Sequence, residues 1–206
     1  MERSGLVLVV CGPSGTGKTT LVKMLMQEFP QIGYSTSYTT RLPRDGEIPG
    51  QDYHFVISEE FVTLQRTGYF AEWAEVHGNY YGTPLNPTLD ILGTGKDVLF
   101  DIDVQGASQL RLTMPAGHYV FILPPSLEVL EQRLRGRLLD NEEAIQRRLK
   151  AARNEIREAR WFDAWIVNDD MDLAYDELRS VYIAATLAPK RRPLILRNLL
   201  NGQITP

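Results

Sequence analysis

Apolar positions gather in short runs at "LVLVVC" (6–11), "DVLFDID" (97–103), "HYVFIL" (118–123) and "AWIVN" (164–168), and each run predicts a buried strand. Between and after them the apolar residues recur at helical spacing. In "KTTLVKMLMQEF" Leu21, Val22, Leu25, Met26 and Phe29 share one face. The stretches "PSLEVLEQRLRG", "NEEAIQRRLKAARNEIREA" and "MDLAYDELRSVYIAATL" read as further helices. Such alternation predicts an α/β fold, a parallel sheet covered by helices on both faces. Residues 34–83 break the pattern, being rich in Tyr, Thr, Gly and Pro, with short strand-like pieces such as "DYHFVI" and "FAEWAEV". They predict an inserted, mostly β subdomain.

Composition narrows the picture. A chain of 206 residues, 43% of them hydrophobic, suits one well-cored domain with room for an insert. The formal charge of -4 supplies no general positive field, so a nucleic-acid polymer is not the expected partner and any phosphate site must be built from individually placed cations. The one cysteine, Cys11, excludes an intrachain disulfide and suits a reducing cytosol, so a cytoplasmic location is expected. The apolar run ending at Cys11 is too short for a signal peptide or a membrane span.

The junction between the first strand and the first helix carries chemistry. "CGPSGTGKTT" fits G-x-x-x-x-G-K-[ST] with Gly12, Gly17, Lys18 and Thr19 at the fixed positions. The loop of Gly12, Pro13, Ser14, Gly15, Thr16 and Gly17 would wrap phosphates with the backbone N–H groups of its residues other than Pro13, aided by the helix N-terminus at Lys18, Thr19 and Thr20. Lys18 would give a point charge to the terminal phosphates of a bound nucleotide, and the Thr19 hydroxyl a magnesium ligand.

With this loop, "SYTTRLPRDGEIPGQDYHFV", "AEWAEVHGNYYGT" and "DIDVQGA", the chain resembles the guanylate kinase family from about residue 5 to about residue 187. The resemblance implies a phosphate-loop NTPase-type core at about 1–33, 95–125 and 160–190, within a single domain of residues 1–206. It further implies a GMP-binding insert at about 34–94 and a helical lid at about 126–159. The implied activity is transfer of the terminal phosphate of ATP to GMP or dGMP with magnesium, in the cytoplasm and without a membrane partner.

The residues bear this out chemically to different degrees. Arg41 and Arg44 flank Pro43 in a non-helical segment, and two guanidinium forks suit a doubly charged phosphate. The resemblance adds Tyr53 and Tyr81 beside them. Guanine offers two adjacent N–H donors, which one carboxylate accepts together. By residue type Glu72 and Glu75 are equal candidates; the resemblance selects Glu72, with Ser37 and Thr83 near the base. Asp101 and Asp103 share a face if their stretch is a strand, and two carboxylates near the phosphate loop suggest magnesium, or a structural pair that caps the next helix. The resemblance implies a place between metal and acceptor, with Asp101 on the magnesium side and Asp103 on the GMP side.

Arg133 and Arg137 are four apart and share a face if the helix continues past Gly136. The resemblance makes these two and Arg148, with Arg147 as its alternative, the lid arginines that meet charge on the transferring phosphate. The chain departs from the family at Leu138, where glycine is usual, and in "PLNP" after "YYGT", where a small polar residue and an arginine are usual. Two other classes stay open: a non-catalytic module that binds phosphopeptides in the same cleft, and a kinase for another acceptor. The segment 188–206 predicts a short helix packed on the core or on another subunit, so a homo-oligomer is compatible with the sequence.

Overall fold

The computed structural model describes residues 4–76, 78–136 and 142–202. In chain order the first elements are β1 (Val7–Cys11), α1 (Lys18–Glu28), β2 (Gly33–Tyr34), β3 (Tyr38–Thr39), β4 (His54–Phe55) and α2 (Ser58–Arg66). Then follow β5 (Phe70–Val76), β6 (Asn79–Pro84), α3 (Leu85–Gly93), β7 (Val98–Asp101) and α4 (Val104–Thr113). The last are β8 (His118–Leu123), α5 (Leu127–Arg135), α6 (Glu142–Glu158), β9 (Ala164–Val167), α7 (Met171–Leu187) and α8 (Leu194–Leu200).

A five-stranded sheet in the order β2-β7-β1-β8-β9 forms the centre, and its pairs run parallel. Alternation along β1 builds both layers. Leu6, Leu8 and Val10 face Leu21 and Leu25 of α1 and Leu178 and Tyr182 of α7. Val7, Val9 and Cys11 face Ala107 and Leu110 of α4, together with Phe162. A strand buried on both sides must be apolar throughout, which is why β1 reads as a continuous run. Because the strands are parallel, Cys11, Asp101, Leu123 and Val167 all end at one edge, where α/β sheets present their ligand sites.

A second, four-stranded sheet in the order β4-β3-β6-β5 stands over that edge. Its β5–β6 pair is antiparallel, with Glu72 opposite Thr83. One helix, α2, falls within residues 34–83, the stretch expected to be mostly β, and α3 follows directly after it. The "PLNP" segment starts α3, and Pro87 falls in the first turn, where a missing N–H costs no helical hydrogen bond. Only two residues of "DYHFVI" pair as a strand, His54 and Phe55.

Helices α5 and α6 pack on each other through Leu130, Leu134, Ile145, Leu149 and Ala152, a small core separate from the two sheet layers. Among the described residues no helix is long and apolar enough to cross a membrane.

Candidate active site

The loop between β1 and α1 is closed by its own bonds. Thr16 is fully buried, and both its N–H and its hydroxyl donate to the Pro13 carbonyl, at 3.3 and 2.9 Å. Gly17 caps α1 with φ at +84°, a left-handed conformation that costs glycine little. The first N–H groups of α1 have no partner within the helix, so the loop presents donors and the positive end of a helix dipole.

Lys18 and Thr19 reach the end of β7. Lys18 Nζ lies 2.8 Å from Asp101 Oδ1, and the Thr19 hydroxyl donates to Asp101 Oδ2 at 3.5 Å. Burial alone would pull the Lys18 pKa down; the Asp101 charge outweighs it and holds the ammonium well above the usual lysine range.

A cavity of about 330 Å³ runs from this loop to the second sheet, reaching Ser37, Glu72 and Tyr81. Glu72 is only 4% exposed, whereas Glu75, three residues on, faces solvent. The Thr83 hydroxyl donates to Glu72 Oε1 at 2.5 Å, and Ser37 Oγ lies 3.0 Å from Thr83 Oγ1. Since the single Thr83 proton is used on the carboxylate, Ser37 is the donor to Thr83. Gly106 of α4 makes room for this group: a Cβ there would sit 2.2 Å from Glu72 Oε2. Desolvation pushes the Glu72 pKa up to about 7, helped by the nearby Asp103 charge and opposed by the Thr83 bond.

Asp103 is the N-cap of α4, its Oδ1 accepting from the Gly106 N–H at 2.9 Å, and it also lines the cavity. Burial raises its pKa above the usual carboxylate range. Arg44 and Tyr53 are on the cavity wall. Arg41 stacks over the Tyr53 ring at 5.4 Å and grips Glu47 in a two-point pair at 3.0 and 2.8 Å.

From α6, Arg148 and Glu155 line the same cavity. Arg133 does not: its guanidinium donates to the Asn168 carbonyl at 2.9 Å. Arg137 and Leu138 lie outside the described residues, and α5 ends at Arg135, whose side chain pairs with Glu131 and Glu142. Glu47, Glu155 and Asn168 were not among the residues picked from sequence. Glu155 carries one signal, lying seven residues from Arg148 and therefore on its helical face. Burial and the Asp103 charge push its pKa up to about 7.

Among the described residues no cluster of three or more His, Cys, Asp or Glu could hold a metal. The local donors are instead one hydroxyl, Thr19, and one carboxylate, Asp101.

A glycine loop between a parallel strand and a helix, with its lysine on a carboxylate and a second polar pocket opposite, defines a phosphate-loop kinase. A family model described as guanylate kinase matches residues 4–185. The guanylate kinase of Nitratidesulfovibrio vulgaris is 63% identical over 201 residues, 98% of this chain and 97% of that protein. That of Geobacter metallireducens is 50% identical over 184 residues, 89% of this chain and 91% of the relative. The crystal structure of guanylate kinase from Anaplasma phagocytophilum superposes with a TM-score of 0.81 at 33% identity, covering 100% of this chain and 99% of that one. The chain belongs to the guanylate kinase family.

Proposed function

We propose that this chain is an ATP:GMP phosphotransferase that converts ATP and GMP, or dGMP, into ADP and GDP or dGDP. The observation that carries the reading is one cavity joining the Gly12–Thr20 loop to the buried Glu72. Residues 1–206 act as a single unit, with residues 34–94 holding GMP and 126–159 closing over the nucleotides.

In this reading the loop residues Gly12 to Thr20 bind the ATP phosphates. Glu72 accepts the two adjacent N–H donors of guanine, with Thr83 and Ser37 fixing its orientation. Adenine places an acceptor there, and a site left with unpaired polar groups rejects the wrong ligand by roughly 10⁴ to 10⁵. Arg41, Arg44, Tyr53 and Tyr81 hold the acceptor phosphate, and Asp103 lies on the GMP side. No general base is needed, because the acceptor phosphate has a second pKa of about 6 and is largely ionised at neutral pH. Lys18, Arg148 and, after closure, Arg133 and Arg137 neutralise charge on the transferred group.

The donor set fits magnesium, a hard ion that keeps several waters and takes few protein oxygens. Thr19 and Asp101 would hold it, directly or through water, and when bound it supplies charge neutralisation on the phosphate oxygens. A cytoplasmic location suits the single buried free thiol, Cys11.

The test is ADP release from ATP and magnesium with GMP, dGMP, AMP, CMP or UMP as acceptor, and with none. Turnover confined to GMP and dGMP is expected. Equal use of AMP would remove Glu72 as the base reader, and no turnover with any acceptor would overturn the assignment.

A further inference from the structure

We propose that Asn168 is a positioning residue for the donor-phosphate loop: its side-chain amide sets the Thr16–Gly17 peptide, and its backbone carbonyl ties that loop to Arg133. The inference rests on the reading of Gly12–Thr20 as the ATP-phosphate loop and assigns a role to a residue outside the loop motif.

Asn168 follows directly on β9 and is 1% exposed. Its own N–H donates to the Leu123 carbonyl at 2.9 Å, which fixes it to the end of the neighbouring strand. Its Nδ2 donates to the Thr16 carbonyl at 2.7 Å, across a sequence separation of 152 residues. The amide also packs directly on Gly17, where a Cβ would lie 2.3 Å from that same Nδ2. Its carbonyl accepts from Arg133 at 2.9 Å.

The consequence follows from peptide geometry. In a planar trans peptide the C=O and the next N–H point in opposite directions. A Thr16 carbonyl held on Asn168 therefore turns the Gly17 N–H away from Asn168. Thr16 cannot readjust freely, because its N–H and hydroxyl are both committed to Pro13. The amide is specifically required. An aspartate of the same shape offers only acceptors and would set lone pairs against the Thr16 carbonyl. The next two residues, Asp169 and Asp170, are acidic, and Asp170 is used as the cap of α7.

The experiment is steady-state kinetics on the full chain with Asn168→Asp and Asn168→Ala, varying ATP at saturating GMP and the reverse. The KM for ATP is expected to rise at least about tenfold in both variants, with the KM for GMP within about twofold of the parent. Calorimetric GMP binding at parental affinity reports that each variant is folded, and if Asn168→Ala fails this check the isosteric Asn168→Asp decides. A folded Asn168→Asp variant with parental kcat and parental KM for ATP, and only a lower melting temperature, would overturn the inference and make Asn168 structural. Should the parent itself lack ATP:GMP activity, the functional reading fails separately, and the ratio of ATP dissociation constants for parent and variant decides the role of Asn168.

Discussion

The Lys18 ammonium lies 2.8 Å from the Asp101 carboxylate, so the helix start after the phosphate loop is tied to the end of the adjacent strand β7. The pair keeps Lys18 charged despite its burial, and it sets a cation and a hard oxygen donor side by side where the strands end. Removing the lysine takes away a preorganised charge that water cannot replace at the same cost. Lys18→Ala is expected to lower kcat by about 10²- to 10³-fold, the usual effect of deleting one transition-state donor. Far-UV circular dichroism should show the fold retained; near-parental turnover in this variant would remove Lys18 from the mechanism.

Glu72 supplies a second expectation. Glu72→Gln keeps the shape but puts an N–H donor where guanine presents donors. Loss of one charge-assisted pair is worth about 1.5 to 3 kcal/mol, so kcat/KM for GMP should fall by at least about tenfold with the KM for ATP little changed. The same substitution removes a desolvated carboxylate. At pH 8 the unliganded variant should melt a few degrees higher than the parent, about 1 kcal/mol of stability, with the difference gone at pH 5. Unchanged GMP kinetics would show that guanine is read elsewhere.

The pH dependence follows from the same group. The Glu72 pKa is raised from an ordinary 4.5 to about 7, so the folded chain keeps a proton that the unfolded chain loses between these values. Its contribution to stability is therefore complete below about pH 4.5 and is lost as pH rises through about 7. Guanine binds the ionised carboxylate, so binding must expel that proton, and affinity should weaken by up to about tenfold per pH unit below 7. Guanosine isolates Glu72 from the acceptor phosphate, which titrates near pH 6 itself. Calorimetry at pH 6.5 in two buffers of different ionisation enthalpy should register proton release on guanosine binding, and Glu72→Gln should abolish it.

Arg41 is held before any nucleotide arrives. Its two terminal nitrogens bond Glu47, and Glu47 Oε2 also accepts from the Arg44 N–H at 2.7 Å, closing the loop from 41 to 47. Arg41 and Arg44 thus owe their placement to one carboxylate, whose pKa the Arg41 bond pulls below the usual range. Glu47→Gln should raise the KM for GMP about three- to tenfold, with the KM for ATP constant. A lower KM would instead identify Glu47 as a competitor of the acceptor phosphate.

Arg191 lies past the residues that the family model matches, yet it is 7% exposed and donates to the Gly5 and Ala116 carbonyls at 2.6 and 2.5 Å. The Ser4 N–H in turn donates to the Arg191 carbonyl at 3.1 Å. Arg191→Met takes away the side-chain donor to the buried Gly5 carbonyl and leaves the Ala116 carbonyl with only the Lys190 ammonium at 3.4 Å, and a loss of about 2–4 kcal/mol is expected, lowering the melting temperature by roughly 5–10 °C. Kinetics at 25 °C should not change, because this anchor is remote from the cavity. The rest of the tail is different: α8 has no buried residue, and Leu196, Leu199 and Leu200 are exposed.

Local pattern and turn chemistry carried the core strands, their flanking helices and the phosphate loop, because each depends on the spacing of neighbouring residues. The Gly12–Thr19 motif specifies its own strand-to-helix context, and the apolar run at 6–11 specifies burial on both faces. By the same logic the short helices α2 and α3 were hidden. In α2 only Phe61 is buried, and α3 begins in a Pro-rich stretch that resembles a loop.

The site was legible in residue type and only partly in partnership. Glu72 and Glu75 are equivalent acids in one strand until that strand pairs with β6. Register then sets Glu72 opposite Thr83 and beneath Gly106, and leaves Glu75 in solvent. Arg133 carried the right charge for the cavity but spends it on the Asn168 carbonyl. The amide of Asn168, in turn, meets the phosphate loop from the far end of the chain. Sequence determines which groups can accept, donate or carry charge, since that is a property of each side chain and its near neighbours. Which of them meet is decided by strand order, register and helix docking, because these bring together residues that no local spacing relates.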